Sequence, residues 1–478
     1  MNSNFPSTIL DTAAALKKRE FSAEELTKHY LEAIEGGNKN INAYLEVYED
    51  AIKQARQMDK KISTGSAESP LAGIPIAVKD NILIRERRAT AGSKILENYI
   101  ASYDATVIQK LKESGVIFLG KTNLDEFAMG SSTENSAFGP TKNPHDNSRV
   151  PGGSSGGSAA AVSSGLCVAA LGSDTGGSIR QPASFCGAVG LKPTYGSVSR
   201  FGLIAMASSL DQIGPLTRNV ADARIIFEAI RGKDPLDSTT VESKLQTPNS
   251  KLQTPIVVGV PKEYFSSGLD PEVEKITRAA IKKCADAGAE IKEIDLPHAE
   301  YALAAYYIVM PAEVSANLAR FDGIRYGHSA IGAQNLLEVY EKSRAEGFGP
   351  ESKRRIMLGT YILSHGYYDA YYLKAQKVRR LIKADFEKVF QEVDFIVGPT
   401  APTPAFKFGE KTDDPLQMYL ADIYTVAVNL AGLPAISVPA GQVELEGKKL
   451  PVGFQIIGKW FDEDALLDFA EKIEEDLQ

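Results

Sequence analysis

The sequence predicts an α/β protein, with one large, mixed, twisted β-sheet covered by helices on both faces. Three observations carry that prediction. Short apolar runs of strand length alternate with runs of helical periodicity, the pattern of βα units. Val443 to Ile457, with Gly447 at its turn, has the form of a hairpin, which brings antiparallel neighbours into the sheet and makes it mixed. The 478 residues, 43% hydrophobic and 24% charged, suffice for a sizeable buried core.

The elements follow in order. Segment 1–64 is expected to be helical and to pack on the core. Within it, Ser22-Ala-Glu-Glu25 is a capping box ahead of Leu26, Tyr30, Leu31 and Ile34 on one helical face. Ile74–Val78 is a short apolar strand. Ala105–Glu113 reads as a helix ending at Gly115, and Val116–Leu119 as the strand behind it. After Gly157 a helix of small residues begins, and Ala159–Leu171 fits a buried helix running into a strand. The alternation continues with strand Ile256–Val260, helix Pro271–Ala287, and strands Ile291–Ile294 and Phe395–Val397. The hexapeptide SKLQTP at Ser243–Pro248 recurs at Ser250–Pro255, and such a proline-containing duplication suits an exposed connector. We therefore expect one catalytic domain over 1–478, with a core at 65–220, a connector at 236–255 and a second half, 256–478, lining the substrate pocket.

Composition excludes several classes. No run reaches the roughly 18 apolar residues of a membrane span. The first residues lack a cationic stretch followed by an apolar one, so no signal peptide is expected. Cys167, Cys186 and Cys284 have no paired spacing, which suits the reducing cytoplasm, and Cys186 reads as a small buried side chain. No Cys/His cluster has metal-ligand spacing. A net charge of −8 argues against this chain gripping nucleic acid over a broad surface by itself.

The chemistry is expected between Pro151 and Ala183, where two Gly-Gly-Ser turns, ending at Ser154 and Ser178, flank an Ala/Val/Leu segment. A Gly/Ser-rich stretch is ordinarily a linker. A linker would not enclose Ala159–Leu171, nor carry Asp174, Arg180 and Gln181 beside its second turn. Glycine pairs allow positive φ and close approach to a ligand, so a serine ending such a turn can present hydroxyl and amide together. A serine nucleophile needs a base. His29, His298, His328 and His365 are scattered, and His145 lies in a polar loop where a surface or capping role suits it. Lys79, at the end of the strand in Gly73-Ile-Pro-Ile-Ala-Val-Lys79-Asp-Asn81, is the alternative, because burial can neutralise a lysine at ordinary pH.

Two motif matches compete with this reading. Gly152-Gly-Ser-Ser-Gly156 satisfies the G-x-S-x-G nucleophile elbow and would make Ser154 the nucleophile, but Asn143–Arg149 before it is polar and proline-broken where the elbow needs a hydrophobic strand. Gly115-Val-Ile-Phe-Leu-Gly-Lys-Thr122 satisfies the phosphate-loop pattern letter for letter, yet its middle four residues are themselves the strand.

Together, PIAVKDN, PGGSSGGSAAAV and GSDTGGSIRQPA resemble the amidase signature family, from about residue 65 to the C-terminus. The resemblance implies an amidase-signature fold and a Ser-cisSer-Lys triad. Ser178 would be the acyl-forming nucleophile, Ser154, after a cis Gly153–Ser154 peptide, the bridge, and Lys79 the ultimate base. The amides of Thr175, Gly176, Gly177 and Ser178 would form the oxyanion hole.

Within that family, Lys121–Asn135, Tyr306-Tyr307 with Glu313–Asn317, Lys353–Gly359, and Met418–Asp422 before Asn429–Pro434 are similar to the glutaminase subunits of tRNA-dependent amidotransferases. That likeness implies glutamine as substrate, with Tyr306, Arg355 and Asp422 at the positions that hold its α-carboxylate and α-ammonium; Tyr307 is an alternative to Tyr306. It implies a heterotrimer with B and C subunits, a partner that contacts tRNA and uses ATP and Mg²⁺, and no cofactor or metal in this chain. The other reading of the same triad is a stand-alone amidase acting on small aliphatic or aryl amides.

Overall fold

A computed structural model describes residues 5–242, 255–266 and 268–477. The duplicated SKLQTP hexapeptides lie outside the described residues, apart from Pro255. Eleven strands form one sheet: β1 (Tyr44–Val47), β2 (Pro75–Lys79), β3 (Ile117–Thr122), β4 (Ala169–Asp174), β5 (Val189–Lys192), β6 (Gln212–Thr217), β7 (Val257–Pro261), β8 (Glu290–Ile294), β9 (Phe395–Pro399), β10 (Ala435–Leu445) and β11 (Lys448–Ile457). The helices in the first half are α1 (Ile9–Lys18), α2 (Ala23–Ile41), α3 (Ala51–Ser63), α4 (Thr106–Glu113), α5 (Gly156–Ser163), α6 (Arg180–Cys186) and α7 (Val220–Ile230). Those of the second half are α8 (Pro271–Asp286), α9 (Ala302–Leu318), α10 (Leu336–Gly347), α11 (Pro350–Leu363), α12 (Lys374–Val389), α13 (Pro415–Tyr419), α14 (Val426–Ala431) and α15 (Glu463–Leu477). Among the described residues no helix is long and apolar enough to cross a membrane.

The strand order is β1-β3-β2-β4-β6-β5-β10-β11-β9-β7-β8. Strand β2 runs parallel to β3 and β4, and β7 runs parallel to β8 and β9, while every pairing between β4 and β9 is antiparallel. The parallel pairs β2/β3 and β7/β8 follow from crossovers through α4 and α8; a strand can rejoin its neighbour in parallel only through a connection of that length. Parallel βα units thus lie toward both ends of the sheet, with antiparallel β1 added outside β3 at one edge, and the centre is antiparallel throughout. Helix α5 packs on β2 and β4, α6 on β5, β10 and β11, and α8 and α15 on β10.

Most expected elements lie within a residue or two of their predicted bounds, and Ser22 and Glu25 make the reciprocal capping box. Four differences trace to strand pairing across the sheet. Segment 1–64 contains β1, a four-residue strand between helices that pairs with β3. Strand β3 continues through Gly120, Lys121 and Thr122, because β1 and β2 pair with it there. The C-terminal hairpin begins at Ala435, not Val443; Ala435–Ser437 is gripped by β5 on one side and β11 on the other. Strand β6 carries Gly214-Pro215 at its centre, a pair that reads locally as a turn, yet it lies between β4 and β5.

Candidate active site

Parallel pairing of β2 with β4 brings the C-terminal ends of both strands to one edge, Val78 opposite Leu171. Lys79 ends β2, Asp174 ends β4, and the loop ending in Ser178 follows directly. Lys79 is fully buried. Its ammonium nitrogen donates to Ser154 Oγ at 2.7 Å, to Ser155 Oγ at 2.8 Å and to the Ser173 carbonyl at 3.3 Å. Among the described residues no carboxylate touches it. Burial therefore pushes its pKa down to about 7, with Asp125, Asp174 and Asp211 pulling only from a distance in the opposite direction.

Ser154 is fully buried and follows a cis peptide from Gly153. The loop is held from both sides. Gly153 N–H donates to Gln181 Oε1 at 2.9 Å, and Thr133 Oγ1 donates to the Gly152 carbonyl at 2.7 Å. A Cβ on Gly153 would lie 2.2 Å from Asp125 Oδ2, so no larger residue fits before this serine. Asp125 in turn accepts from the amides of Thr133 at 2.9 Å and Asn135 at 3.1 Å. Burial raises its pKa to about 6.

Ser178 is 8% exposed, the most accessible of the three. Its carbonyl accepts from the Ser155 amide at 3.1 Å, which ties the two Gly-Gly-Ser turns together, and among the described residues its hydroxyl has no hydrogen-bond partner. The turn before it is braced by Asp174, whose carboxylate accepts from Gly177 N–H at 2.8 Å and Ile179 N–H at 3.1 Å. The Gly177 amide is thus engaged inside the loop, whereas the sequence reading counted it among the oxyanion-hole donors. Gly177 sits at φ 137° with Thr425 against it, a conformation suited to glycine. Among the described residues the amides of Thr175, Gly176 and Ser178 donate to nothing. Thr175 Oγ1 donates to Asp211 at 2.7 Å, and Thr425 Oγ1 to the Gly176 carbonyl at 2.6 Å.

Beneath this turn lies a buried ion pair. Arg180 donates to both Asp174 oxygens at 3.1 Å, to Gln455 Oε1 at 2.7 Å and to Asn429 Oδ1 at 2.5 Å. Burial alone would raise the Asp174 pKa, but the guanidinium holds it far below the usual carboxylate range. Asn429 and Gln455, more than 240 residues downstream, close the network. Asn429 entered the sequence reading only as the start of the Asn429–Pro434 segment, without a role, and Gln455 did not enter it, since nothing local marks it.

The expected substrate residues come from the second half of the chain. Tyr306, on α9, lies against the turn; a Cβ on Gly176 would meet its ring and hydroxyl at 2.7 Å. Asp422 is 7% exposed, accepts from Ser131 Oγ at 2.6 Å, and has its pKa pushed up to about 7 by burial. The Ser131 carbonyl accepts from Gln181 Nε2 at 3.0 Å, so Asp422 connects through Ser131 and Gln181 to the Gly153 amide. Arg355, on α11, is 3% exposed and already paired: Nε donates to Glu351 Oε1 at 2.7 Å. Its guanidinium lies 5.5 Å from the Tyr307 ring centroid and 5.7 Å from that of Tyr419, and those two rings stack at 3.7 Å. Burial works against its charge, but Tyr307 and Glu351 more than offset this and hold it protonated more firmly than usual. Tyr306 and Tyr307 therefore do different things: the first touches the glycine turn, the second is a wall for Arg355. Glu351 and Tyr419 were missed as partners because their importance arises only where the fold brings Tyr419 to Glu351, to which its hydroxyl donates at 3.2 Å, and to the Arg355 guanidinium.

The competing motifs end differently. Lys121 is buried inside β3, donates to the Ile82 carbonyl at 2.5 Å and lies 3.4 Å from Asp80, so Gly115–Thr122 forms no phosphate-cradling loop. His145 meets the Cys186 carbonyl at 2.9 Å, His298 pairs with Asp385 and His328 with Glu346. Among the described residues no cluster of His, Cys, Asp or Glu could hold a metal ion.

What this arrangement can do is deprotonate a serine with a neutral lysine beside free backbone donors, the equipment of acyl transfer. Comparisons with known proteins agree. The Amidase family model matches residues 25–467. A relative from Carboxydothermus hydrogenoformans, the A subunit of its glutamyl-tRNA(Gln) amidotransferase, is 58% identical over 97% of this chain and 96% of its own. The crystal structure of the corresponding A subunit from Thermotoga maritima superposes with a TM-score of 0.77 at 46% identity, covering 95% of this chain and 91% of that one. The native peptide amidase from Stenotrophomonas maltophilia superposes with a TM-score of 0.79 at 28% identity, covering 98% and 96%. The chain is an amide-cleaving enzyme and belongs to the amidase family.

Proposed function

We propose that this chain is the glutaminase subunit of a cytoplasmic tRNA-dependent amidotransferase. The observation that carries the reading is a buried lysine, pKa about 7, at 2.7 Å from a serine hydroxyl and, among the described residues, out of contact with any carboxylate, in a chain that also buries Arg355 and Asp422. Neutral Lys79 draws a proton from Ser154, which draws one from Ser178. The Ser178 oxygen attacks the glutamine carboxamide carbon, and the amides of Thr175, Gly176 and Ser178 receive the developing oxyanion. The proton held by Lys79 returns through Ser154 to the leaving nitrogen, and ammonia departs. Water then enters by the reverse relay and cleaves the γ-glutamyl ester to glutamate.

Arg355, held charged by Glu351 and its tyrosine walls, fits an α-carboxylate; Asp422 fits an α-ammonium, with Tyr306 closing the pocket over the glycine turn. The relatives are named as A subunits of glutamyl-tRNA(Gln) amidotransferases, which supports a multi-subunit assembly; in our reading ammonia passes to a B subunit that binds tRNA and activates mischarged Glu-tRNA(Gln), Asp-tRNA(Asn) or both with ATP and Mg²⁺. A small C subunit braces the pair.

The test is an electrophilic glutamine analogue applied to the complex, with peptide mapping by mass spectrometry. Ser178 should be labelled, glutamine should protect it, and Lys79→Ala should abolish the label. Labelling at Ser154 would make that serine the nucleophile, and a label that glutamine does not compete away would return the substrate to simple amides.

A further inference from the structure

Helix α11 bears both Arg355 and Glu351, yet its N-cap is Gly349, which has no side chain to receive the first-turn amides. This end of the helix is held instead from across the molecule, through the N-cap amide itself and a first-turn hydroxyl. Glu126, 2% exposed, accepts the Gly349 amide on its two oxygens at 3.1 and 2.9 Å, and also accepts from the hydroxyls of Ser352 and, at 2.5 Å, Ser93. Burial raises its pKa, and these donors pull it back toward ionisation. A carboxylate at a helix N-terminus is favoured by both the free amides and the helix dipole. The approach is close: a Cβ on Gly349 would lie 2.7 Å from Glu126 Oε2.

The residue before it is Asp125, which abuts Gly153 and anchors Thr133 and Asn135. Phe127 and Ala128, at φ 50° and 62°, turn the chain immediately afterwards, and Phe127 packs on Phe348 at 5.7 Å. One dipeptide is therefore fastened on one side to the loop that carries Ser154 and on the other to the helix that carries Arg355.

We propose that Glu126 is a positioning residue for substrate selection: by holding the N-cap amide of Gly349 and the Ser352 hydroxyl at the start of α11, it fixes Arg355 at the distance from Ser178 that a substrate α-carboxylate requires. The inference rests on the glutaminase reading and adds the device that sets its specificity. It is tested in the full complex with Glu126→Gln, comparing glutamine with butyramide, a carboxamide with no α-carboxylate or α-ammonium. The ratio of kcat/KM for glutamine to that for butyramide should fall about tenfold, mostly through the KM of glutamine, as loss of a cap and one charged contact would give. Ser352→Ala, a milder change, should lower the same ratio less, and it carries the test if Glu126→Gln does not assemble. Equal losses on both substrates would reduce Glu126 to a fold-stabilising role, and an unchanged ratio would overturn the proposal. A preference for glutamine that survives Arg355→Lys in a complex with Glu126 and Ser352 unaltered would instead overturn the reading of the pocket, and the inference with it.

Discussion

Lys79 and Arg355 are both buried cations, and the protein treats them oppositely. Lys79 is surrounded by hydroxyls and a carbonyl, with carboxylates kept out of contact, so desolvation wins and its proton is lost near pH 7. Arg355 has Glu351 in direct contact and two tyrosine faces beside it, so its charge survives burial. The first site is built to shed a proton and the second to keep one. The chemistry of the two side chains matches: an ammonium deprotonates readily when buried, whereas a guanidinium does not, and its planar fork suits a carboxylate.

The comparison breaks most visibly when the residue types are exchanged. Lys79→Arg keeps a buried cation but removes the means to become neutral, and kcat for glutamine should fall by about 10³-fold or more, as far as in Lys79→Ala. Steady-state ammonia release measures it, and substantial activity in Lys79→Arg would show that charge, not basicity, is what the site supplies. Arg355→Lys should cost less, raising the KM of glutamine by roughly 10- to 100-fold while kcat changes little, because a point charge replaces a bidentate one. A fall in kcat alone would place Arg355 in the chemical step.

The pH dependence sharpens the same contrast. Below pH 7 Lys79 becomes protonated and can no longer accept from Ser154, and Asp422, also near 7, loses the charge that would hold an α-ammonium. The acid limb of kcat/KM should therefore be governed by two ionisations for glutamine and by one for butyramide. Asp422→Asn should reduce the glutamine limb to a single ionisation. A glutamine limb that stays steep in Asp422→Asn would assign the second ionisation elsewhere, with Asp125 and Asp211, both near 6, the next groups to test.

How much of this was legible follows from the range of each interaction. The residues proposed for the triad carry local marks, two Gly-Gly-Ser turns and an apolar strand ending in lysine, and the structure brings two of them, Lys79 and Ser154, into contact. The βα units toward both ends of the sheet were legible for the same reason, since periodicity is local. The centre was not. Strand β5 has only four residues, and β6 carries a Gly-Pro pair that becomes strand only because β4 and β5 lie on either side. Likewise Asp125, Glu351 and Gln455 are ordinary polar residues in sequence, and their roles exist only through contacts made in the fold. The engagement of the Gly177 amide by Asp174 was hidden too, because which of several adjacent amides faces the cleft depends on φ at each glycine.

The smallest expected effect concerns stability. Lys79 binds its proton with a pKa near 10.5 in the unfolded chain and about 7 in the folded one. Between those values the unfolded state holds a proton that the native state lacks, so this residue makes the protein more stable as pH rises from 7 toward 10.5; below 7 its burial is a constant penalty on the order of a few kcal/mol. Lys79→Met removes that penalty and its pH dependence together. Its melting temperature should exceed that of the wild type at pH 6, and the gap should narrow as pH is raised to 10. Asp422 and Glu474, whose pKa values burial raises to about 7, act with the opposite sign in more acidic solution, but they are common to both proteins and cancel in the difference. Arg355→Met should do the reverse and destabilise at every pH, because it leaves the Glu351 carboxylate buried with the exposed Arg354 as its remaining cation. If Lys79→Met melts lower than the wild type at pH 6, its hydrogen bonds to Ser154 and Ser155 outweigh desolvation, and the lysine is held in place as firmly as the arginine.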